Sequence, residues 1–417
     1  MIICQQTRGL LSSNDQLALD LPFAETKSIA ARVGPNPVFT RGSTATYFGP
    51  KIEAFGYVLD FDGFVGGRVR WYTILDPING YSIAVYYNGT QWVLEYAQEE
   101  INYYYAAAGS EWRPDQADWS GSGINVTTSS TFGIIGAANN EPRFEHDPLT
   151  GVCRGLLLEQ SRTNLVFPSD TLTTQTRTVT AAAHTLSFYG TGTVVLSGAH
   201  SATVIGTGAF PSRRIFNFTP TAGSLTLTVT GTVQFAQLEA GPTATSYIPT
   251  TTGSVIRAQD LYTITGADFL DMYNQSEGTV FCAAIAVGAT SAASGVYGIT
   301  AAARPNGGIS SDFAAANLRV SVHAAPSFAI QASFISSAAR NVLVKSAIAV
   351  RTDDFAGSIN GSIATDTSGT LVTTMDRFVI GATGNTGGPQ IGNNIFSSIR
   401  YYRKRLPNAK LQALTAP

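Results

Sequence analysis

The 417-residue chain is short of charge: Asp, Glu, Lys and Arg together make up 13% of it, about half the usual quarter of a soluble protein. Lysine is scarcest, with Lys27, Lys51, Lys345, Lys404 and Lys410 only, and none between positions 52 and 344. At a formal net charge of −2 no basic surface is available to neutralise phosphates, which argues against a nucleic-acid partner. The three cysteines (Cys4, Cys153, Cys282) are odd in number and far apart. They make neither a disulfide framework nor a CxxC metal site. They read as small hydrophobes in a chain made in a reducing compartment. No apolar run approaches the ~18 residues of a spanning helix, so membrane insertion is not expected. Residues 1–20 lack the basic-then-apolar order of a secretory signal. Helical periodicity is scarce as well. Disorder does not fit, because disordered chains are apolar-poor and highly charged, whereas hydrophobic residues are 44% here.

What is present is alternation with period two. In residues 224–230, Leu225, Leu227 and Val229 alternate with Thr226, Thr228 and Thr230. This predicts a half-buried strand with its apolar trio inward and its threonines outward. Phe216 and Phe218 lead into it and Val233 and Phe235 follow, with Gly223 and Gly231 as punctuation. Short strands at this spacing predict an all-β, multi-domain fold of β-sandwich (jelly-roll) modules. Four segments follow: a lead-in over 1–34, an arm region over 35–160, a Thr-rich strand block over 161–258 and a last β block over 259–417. Helices are expected only at 266–273 and 407–414, the second opened by Pro407 and Asn408.

Aromatic residues crowd into one stretch. Trp71, Trp92, Trp112 and Trp119 are all four of the tryptophans, and ten of the 17 tyrosines lie between Tyr47 and Tyr105. Residues 80–94 read as a hairpin turning at Asn88-Gly89, the pair preferred for a type I′ turn. A second strand pair is expected over 57–72. Residues 56–133 are therefore expected to be a small inserted β module. Most of its rings should form its own core. Tyr103, Tyr104 and Tyr105 are consecutive and cannot all face one side of a strand. Trp112 and Trp119 flank the turn-like Arg113-Pro114-Asp115. These five residues are the candidates for glycan or partner contact, since flat rings stack on sugar faces and dominate interfaces.

Catalytic chemistry has little to work with. The four histidines (His146, His184, His200, His323) are scattered, and no GxSxG, HExxH or P-loop pattern occurs. Glu99 and Glu100 are adjacent and would point to opposite faces of a strand. Asp353-Asp354, ahead of Phe355-Ala356-Gly357 and Asn360-Gly361, reads as solvated turn chemistry, and the Asn360-Gly361 position resembles a hairpin turn of lectin-like sandwiches. No enzyme activity, no cofactor and no metal are expected. Two weaker possibilities are a calcium site among Asp353, Asp354, Asp366 and Asp376, and a His146–Asp147 ligand pair.

Four motifs resemble a class of tailed-bacteriophage virion proteins. They are Phe39-Thr40-Arg41-Gly42-Ser43-Thr44-Ala45-Thr46-Tyr47; Asn140-Glu141-Pro142-Arg143-Phe144-Glu145-His146-Asp147-Pro148-Leu149-Thr150-Gly151; Gly155-Leu156-Leu157-Leu158-Glu159-Gln160-Ser161-Arg162-Thr163-Asn164-Leu165; and Gln237-Leu238-Glu239-Ala240-Gly241-Pro242 with Thr245-Ser246-Tyr247-Ile248-Pro249-Thr250. The last block, ending in Arg400-Tyr401-Tyr402-Arg403-Lys404-Arg405-Leu406-Pro407, is similar to the laminin-G/concanavalin-like sandwich of the same proteins. The resemblance implies a non-enzymatic head spike, capsid decoration or tail fibre, made in the host cytoplasm and located in the virion. It implies other virion proteins as partners and a homo-oligomer, with a trimer favoured. Residues 1–34 would anchor the chain, ordering on docking, and 56–133 would be displayed. A glycan-binding receptor-recognition protein is the alternative, and a polysaccharide depolymerase a more distant one. Within the motifs, Asp147 to Gly151 predicts a turn capped by the Asp side chain. Arg143 and Arg162 are expected to pair with Glu145 and Glu159, either as a directional clamp or as a solvated surface pair.

Overall fold

The computed structural model describes residues 16–51, 57–58, 72–75, 82–87, 92–97, 125–126, 131–288, 294–301, 304–314, 317–323, 330–371, 374–383 and 390–417. The chain divides into two units, residues 1–49 with 133–417, and residues 50–132. The architecture is all-β, in β-sandwiches.

The large sandwich carries two extensive sheets. One runs Phe144–His146, Cys153–Leu158, Asn394–Tyr402, Glu277–Ala286, Leu343–Arg351, Asp354–Ile359, Ser362–Asp366. The other runs Val38–Thr40, Leu261–Thr265, Arg377–Ile380, Ser294–Ala301, Arg304–Ala314, Asn317–His323, Ile330–Ser337. Between them lies an apolar core that includes Leu156, Leu158, Val280, Ile348, Phe355, Phe378, Phe396 and Tyr401. Asn360 and Gly361 both take positive φ at the turn where Ile359 pairs with Ser362, as the Asn-Gly pair predicts. Helices form at Gly266–Met272 and Asn408–Thr415, and Leu411 and Leu414 of the second are buried against Phe281, Ala347 and Tyr402.

Two features depart from the linear order read from the sequence. The strand Leu17–Leu21 pairs with Ile399–Tyr402 on the edge of Asn394–Tyr402 that Leu156–Leu158 also use. Leu19, Leu21 and Phe23 are fully buried there. Residues 16–34 are thus built into the last sandwich; the remainder of the expected anchoring segment, 1–15, lies outside the described residues. The reason is local: the run Leu17-Ala18-Leu19-Asp20-Leu21 places a leucine at every second position and the sheet has an edge to fill. Second, the large sandwich is discontinuous. It draws on 17–40 and 144–158 as well as 261–402, so the strand block of 161–258 and the unit of 50–132 are both insertions into it.

The small sandwich of that strand block sets Gln175–Val179, Gly223–Thr230, Thr193–Gly198 and Ala202–Ile205 against Arg214–Phe218, His184–Tyr189 and Gln234–Ala240. Leu225 and Leu227 have no exposed surface, while Ser224, Thr228 and Thr230 are exposed, as the alternation predicts. Each insertion leaves and re-enters through a zipped pair of strands. Ala45–Lys51 pairs with Thr131–Ala137 at the root of one. At the root of the other, Arg162, Thr163 and Asn164 lie opposite Arg257, Ile256 and Val255.

In the unit of 50–132, Tyr72–Leu75, Ser82–Tyr87 and Trp92–Ala97 form an antiparallel sheet. Tyr57–Val58 pairs with Asn125–Val126, not with the strand near Tyr72 that the sequence suggests. The 80–94 hairpin forms, with Tyr87 opposite Trp92; the expected Asn88-Gly89 turn lies outside the described residues.

Candidate functional site

The motif residues meet in one buried place, where the two strand-paired roots leave the large sandwich. Arg143, on the approach to the strand Phe144–His146, has no exposed surface. Its Nη1 donates to Glu159 Oε2 at 2.7 Å, to Ser246 Oγ at 2.7 Å and to the Thr46 carbonyl at 2.9 Å. Its Nη2 donates to Asp260 Oδ2 at 2.5 Å. Arg41 reaches the other oxygen of Asp260 at 3.1 Å and donates to the carbonyls of Ala138 at 2.6 Å and Ser43 at 2.9 Å. Arg257 donates to the Gln160 carbonyl at 2.8 Å and holds Nη1 3.3 Å from Glu159 Oε2. Glu159 also accepts the Ser246 backbone N–H at 2.8 Å and the Ser246 hydroxyl at 2.6 Å. The Glu159 N–H in turn donates to Asp260 Oδ2 at 2.8 Å. A pair bound this way is directional, and a guanidinium fork suits it.

The expected clamp therefore exists and is buried, not a solvated surface pair, and its partners differ in part from expectation. Arg143 takes Glu159. Arg162 instead lies 3.7 Å from Glu239, and Glu145 accepts the Phe48 backbone N–H at 3.0 Å.

The electrostatics follow from burial and partners. Desolvation alone would raise the Glu159 carboxyl, but Arg257, Arg143 and the Ser246 donors overcome it and hold it at about 2. Arg143 is pushed up because Glu159 and Asp260 outweigh its own burial. Arg41 moves the other way, since burial outweighs the attraction of Asp260. Burial also pushes Glu145 up to about 7, with Glu159 adding to it against the Phe48 N–H, Arg143 and Arg154.

The fourth motif extends this cluster into the small sandwich. Glu239 accepts from Gln237 Nε2 at 2.8 Å and from the Thr245 N–H and hydroxyl at 2.9 and 2.7 Å. Gln237 accepts the Ile248 N–H at 2.7 Å. Asn164 donates to the carbonyls of Ala236 at 3.0 Å and Ile248 at 2.8 Å and accepts the Leu238 N–H at 3.1 Å. Thr46 donates to the Tyr247 carbonyl at 2.5 Å, closing the seam onto the first root. Gly241 has φ +131, and a Cβ there would stand 2.6 Å from Arg162 Nη2; the glycine lets the guanidinium lie against the backbone.

The remaining candidates are otherwise engaged. Asp147 Oδ1 accepts the N–H groups of Leu149 and Thr150, both at 2.9 Å, and Asp147 pairs with Arg154. The Thr150 and Leu149 donors lead Arg154 in holding its carboxyl far below the usual range. This is the capped turn that the composition predicts. Asp353 accepts the Gly369 N–H, Asp354 pairs with Arg351 and Arg405, Asp366 caps Ser368 and Asp376 pairs with Arg377. Among the described residues no group of three or more His, Cys, Asp or Glu could hold a metal. Ser310 Oγ stands 3.0 Å from His323 Nε2 across adjacent strands, but the nearby Asp312 is committed to a two-pronged pair with Arg319 at 2.9 Å. Tyr103, Tyr104, Tyr105, Trp112 and Trp119 lie outside the described residues. Sequence reasoning missed Asp260 and Arg257. The available signal was rarity: in a chain so poor in charge, Arg257 and Asp260 three positions apart at the edge of a strand block are conspicuous.

No family model matches the chain, and no curated protein matches it. Among solved structures, the CBM40 domain of the Ruminococcus gnavus IT-sialidase bound to α2,3-sialyllactose is 14% identical over 34% of this chain and 84% of its own, at a TM-score of 0.30. The leech intramolecular trans-sialidase is 13% identical over 37% of this chain and 26% of its own, at 0.31. The receptor-binding domain of botulinum neurotoxin mosaic serotype C/D is 14% identical over 37% of this chain and 38% of its own, at 0.29.

Proposed function

We propose that this chain is a non-enzymatic structural protein of a bacteriophage virion, a surface appendage that displays β modules, residues 56–133 among them. One observation carries the reading: the four motifs behind the resemblance supply scaffold, not reactive groups. Arg41, Arg143, Glu159, Asn164, Glu239 and Ser246 are spent on one another, on Asp260, Gln237 and Thr245, and on backbone groups. Their common effect is to cross-link the bases of two insertions. That is the construction a particle-borne protein needs, since it must keep its shape outside a cell without disulfides. The partners on this reading are other virion proteins and further copies of the chain, a trimer by preference. Immunogold labelling of purified particles with antibody against 56–133 tests it. Label on head or tail supports the proposal, and particles free of label overturn it.

The aromatic composition of the insertion favours a second reading, a receptor-recognition protein that binds host glycan through Tyr103, Tyr104, Tyr105, Trp112 or Trp119. Binding of the full chain to host cells that is lost in Trp112→Ala or Trp119→Ala, with an unchanged circular dichroism spectrum, is the expected result. Absence of binding to host cells and their extracted glycans removes this reading.

A further inference from the structure

Carboxylates are scarce in this chain, and nearly all of the described ones are spent. Asp20 faces Arg400, Glu25 faces Arg32 and Glu277 accepts the Arg405 backbone N–H. Asp268 and Asp271 are different. They stand three positions apart on the helix Gly266–Met272, which makes them neighbours on its surface. Both are exposed, and neither carboxylate has an ion pair or a hydrogen bond among the described residues.

Both aspartates line a groove of about 570 Å³, within the ~300–1,000 Å³ of clefts that bury a ligand. Its apolar lining comes from Leu17, Ala18, Val33, Pro35 and Met272, and Val33 is left 37% exposed. Two segments meet here at close quarters. The Asp20 N–H donates to the Val33 carbonyl at 3.0 Å. Gly34 has φ +88, and a Cβ there would stand 2.1 Å from the Ala18 carbonyl oxygen, so glycine is what lets the backbones touch. Arg403 also lines the groove, but its Nε is given to the Met272 carbonyl at 3.0 Å, and it pairs with neither aspartate among the described residues.

A cation set among apolar groups would complement this lining, and the chain that leads into the groove carries one. Gln16 lines the groove, and its carbonyl accepts the Arg403 N–H at 3.0 Å, which fixes the point from which residues 1–15 extend. Gln16 has φ +52, so the chain leaves the line of the strand Leu17–Leu21 there. Residues 1–15 lie outside the described residues. Their one cation is Arg8, followed by Gly9, Leu10 and Leu11. Eight positions span up to ~27 Å of extended chain, ample for a return into the groove that Gln16 itself lines.

We propose that residues 8–11 fold back into this groove of their own chain. The Arg8 guanidinium lies between the carboxylates of Asp268 and Asp271, and Leu10 and Leu11 cover Leu17, Val33 and Met272. Because the segment is tethered at the groove, its effective concentration there is high and modest contacts suffice to seat it. The inference concerns the chain alone and stands or falls apart from the virion reading.

The test is trypsin cleavage after Arg8 in the full folded chain, followed by mass. Cleavage of a seated segment tracks the fraction of time it is open. Slow loss of residues 1–8 is expected, becoming several-fold faster in Asp268→Asn/Asp271→Asn, with an unchanged circular dichroism spectrum because both positions are exposed. In an Arg8→Lys variant, carbodiimide is expected to join the new amine to Asp268 or Asp271 within one chain. Equal cleavage rates in the two proteins overturn the inference. So does a cross-link that is absent, or that occurs only in species of twice the chain mass, which would give the groove to a second copy.

Discussion

Leu158 and Glu159 are neighbours in sequence, and both are buried, at 1% and 3% exposure, yet they belong to different kinds of interior. Leu158 enters the apolar core of the large sandwich. Glu159 turns the other way into the seam, among Arg143, Arg257 and Ser246. The two sandwich cores are held by burial of apolar surface, which is non-directional and tolerates changes of shape at constant volume. The seam is held by ions and hydrogen bonds, which fix angle as well as distance. It stands where the chain leaves the large sandwich for each insertion. An apolar joint would hold such roots together. An ionic one adds direction to its contacts, at the cost of desolvating every charge in it.

This contrast can be broken or sharpened by experiment. Far-UV circular dichroism is the probe, because all four tryptophans lie in 71–119 and their fluorescence reports that stretch. The largest effect is expected from Arg143→Met, which takes from Glu159 and Asp260 the guanidinium that stands nearest to both. A loss of ~3–5 kcal/mol in chemical denaturation is expected, against ~2–5 kcal/mol for Leu196→Ala in the small core. A seam variant that costs under about 1 kcal/mol would erase the distinction.

Next in size is coupling. Arg143→Met combined with Glu159→Gln should be milder than the sum of the two by ~0.5–3 kcal/mol, because each single change already removes the interaction that the pair shares. Leu156→Ala and Leu196→Ala, in separate cores, should add to within ~0.5 kcal/mol.

The pH profile is the third test. The Glu159 carboxyl is held at about 2 in the fold against an ordinary 4.5. Its contribution is present above pH 4.5 and is lost as pH falls toward 2. Glu145 works oppositely. Its folded value of about 7 means the fold binds its proton more tightly than the unfolded chain does. Stability from this group is therefore full below pH 4.5 and is lost as pH rises through about 7. Glu159→Gln should flatten the acid limb and Glu145→Gln the neutral one, while Leu196→Ala lowers the curve without changing its shape. Denaturation midpoints between pH 3 and 8 check this.

The smallest effect is expected at the surface. Arg351→Ala removes an exposed pair with Asp354 at 2.7 Å and should cost ~0–1 kcal/mol.

How much of this could be read in advance depends on the distance over which each feature is encoded. The strand over 224–230, the Asn360-Gly361 turn, the Asp147 turn and the helix after Pro407 are set by residues within a few positions of one another. The Arg143–Glu159 pair was also within reach, because its members are 16 positions apart and both lie in motifs. The discontinuity of the large sandwich was not. A five-residue strand such as Leu17–Leu21 has the pattern of any edge strand and carries no mark of the partner it will choose. Arg400 and Asp20, which pair beside that strand at 3.0 Å, are 380 positions apart.

By itself, then, the sequence determined the class of fold and the local pieces: alternation makes a strand wherever it occurs, and Asn-Gly makes a tight turn because of its own backbone energetics. Only the tertiary structure decided which charges would be buried together. Arg41 meets Asp260 across 219 positions and Arg143 meets it across 117. A buried charge takes its properties from the groups that surround it in space, and chain order says little about which those are.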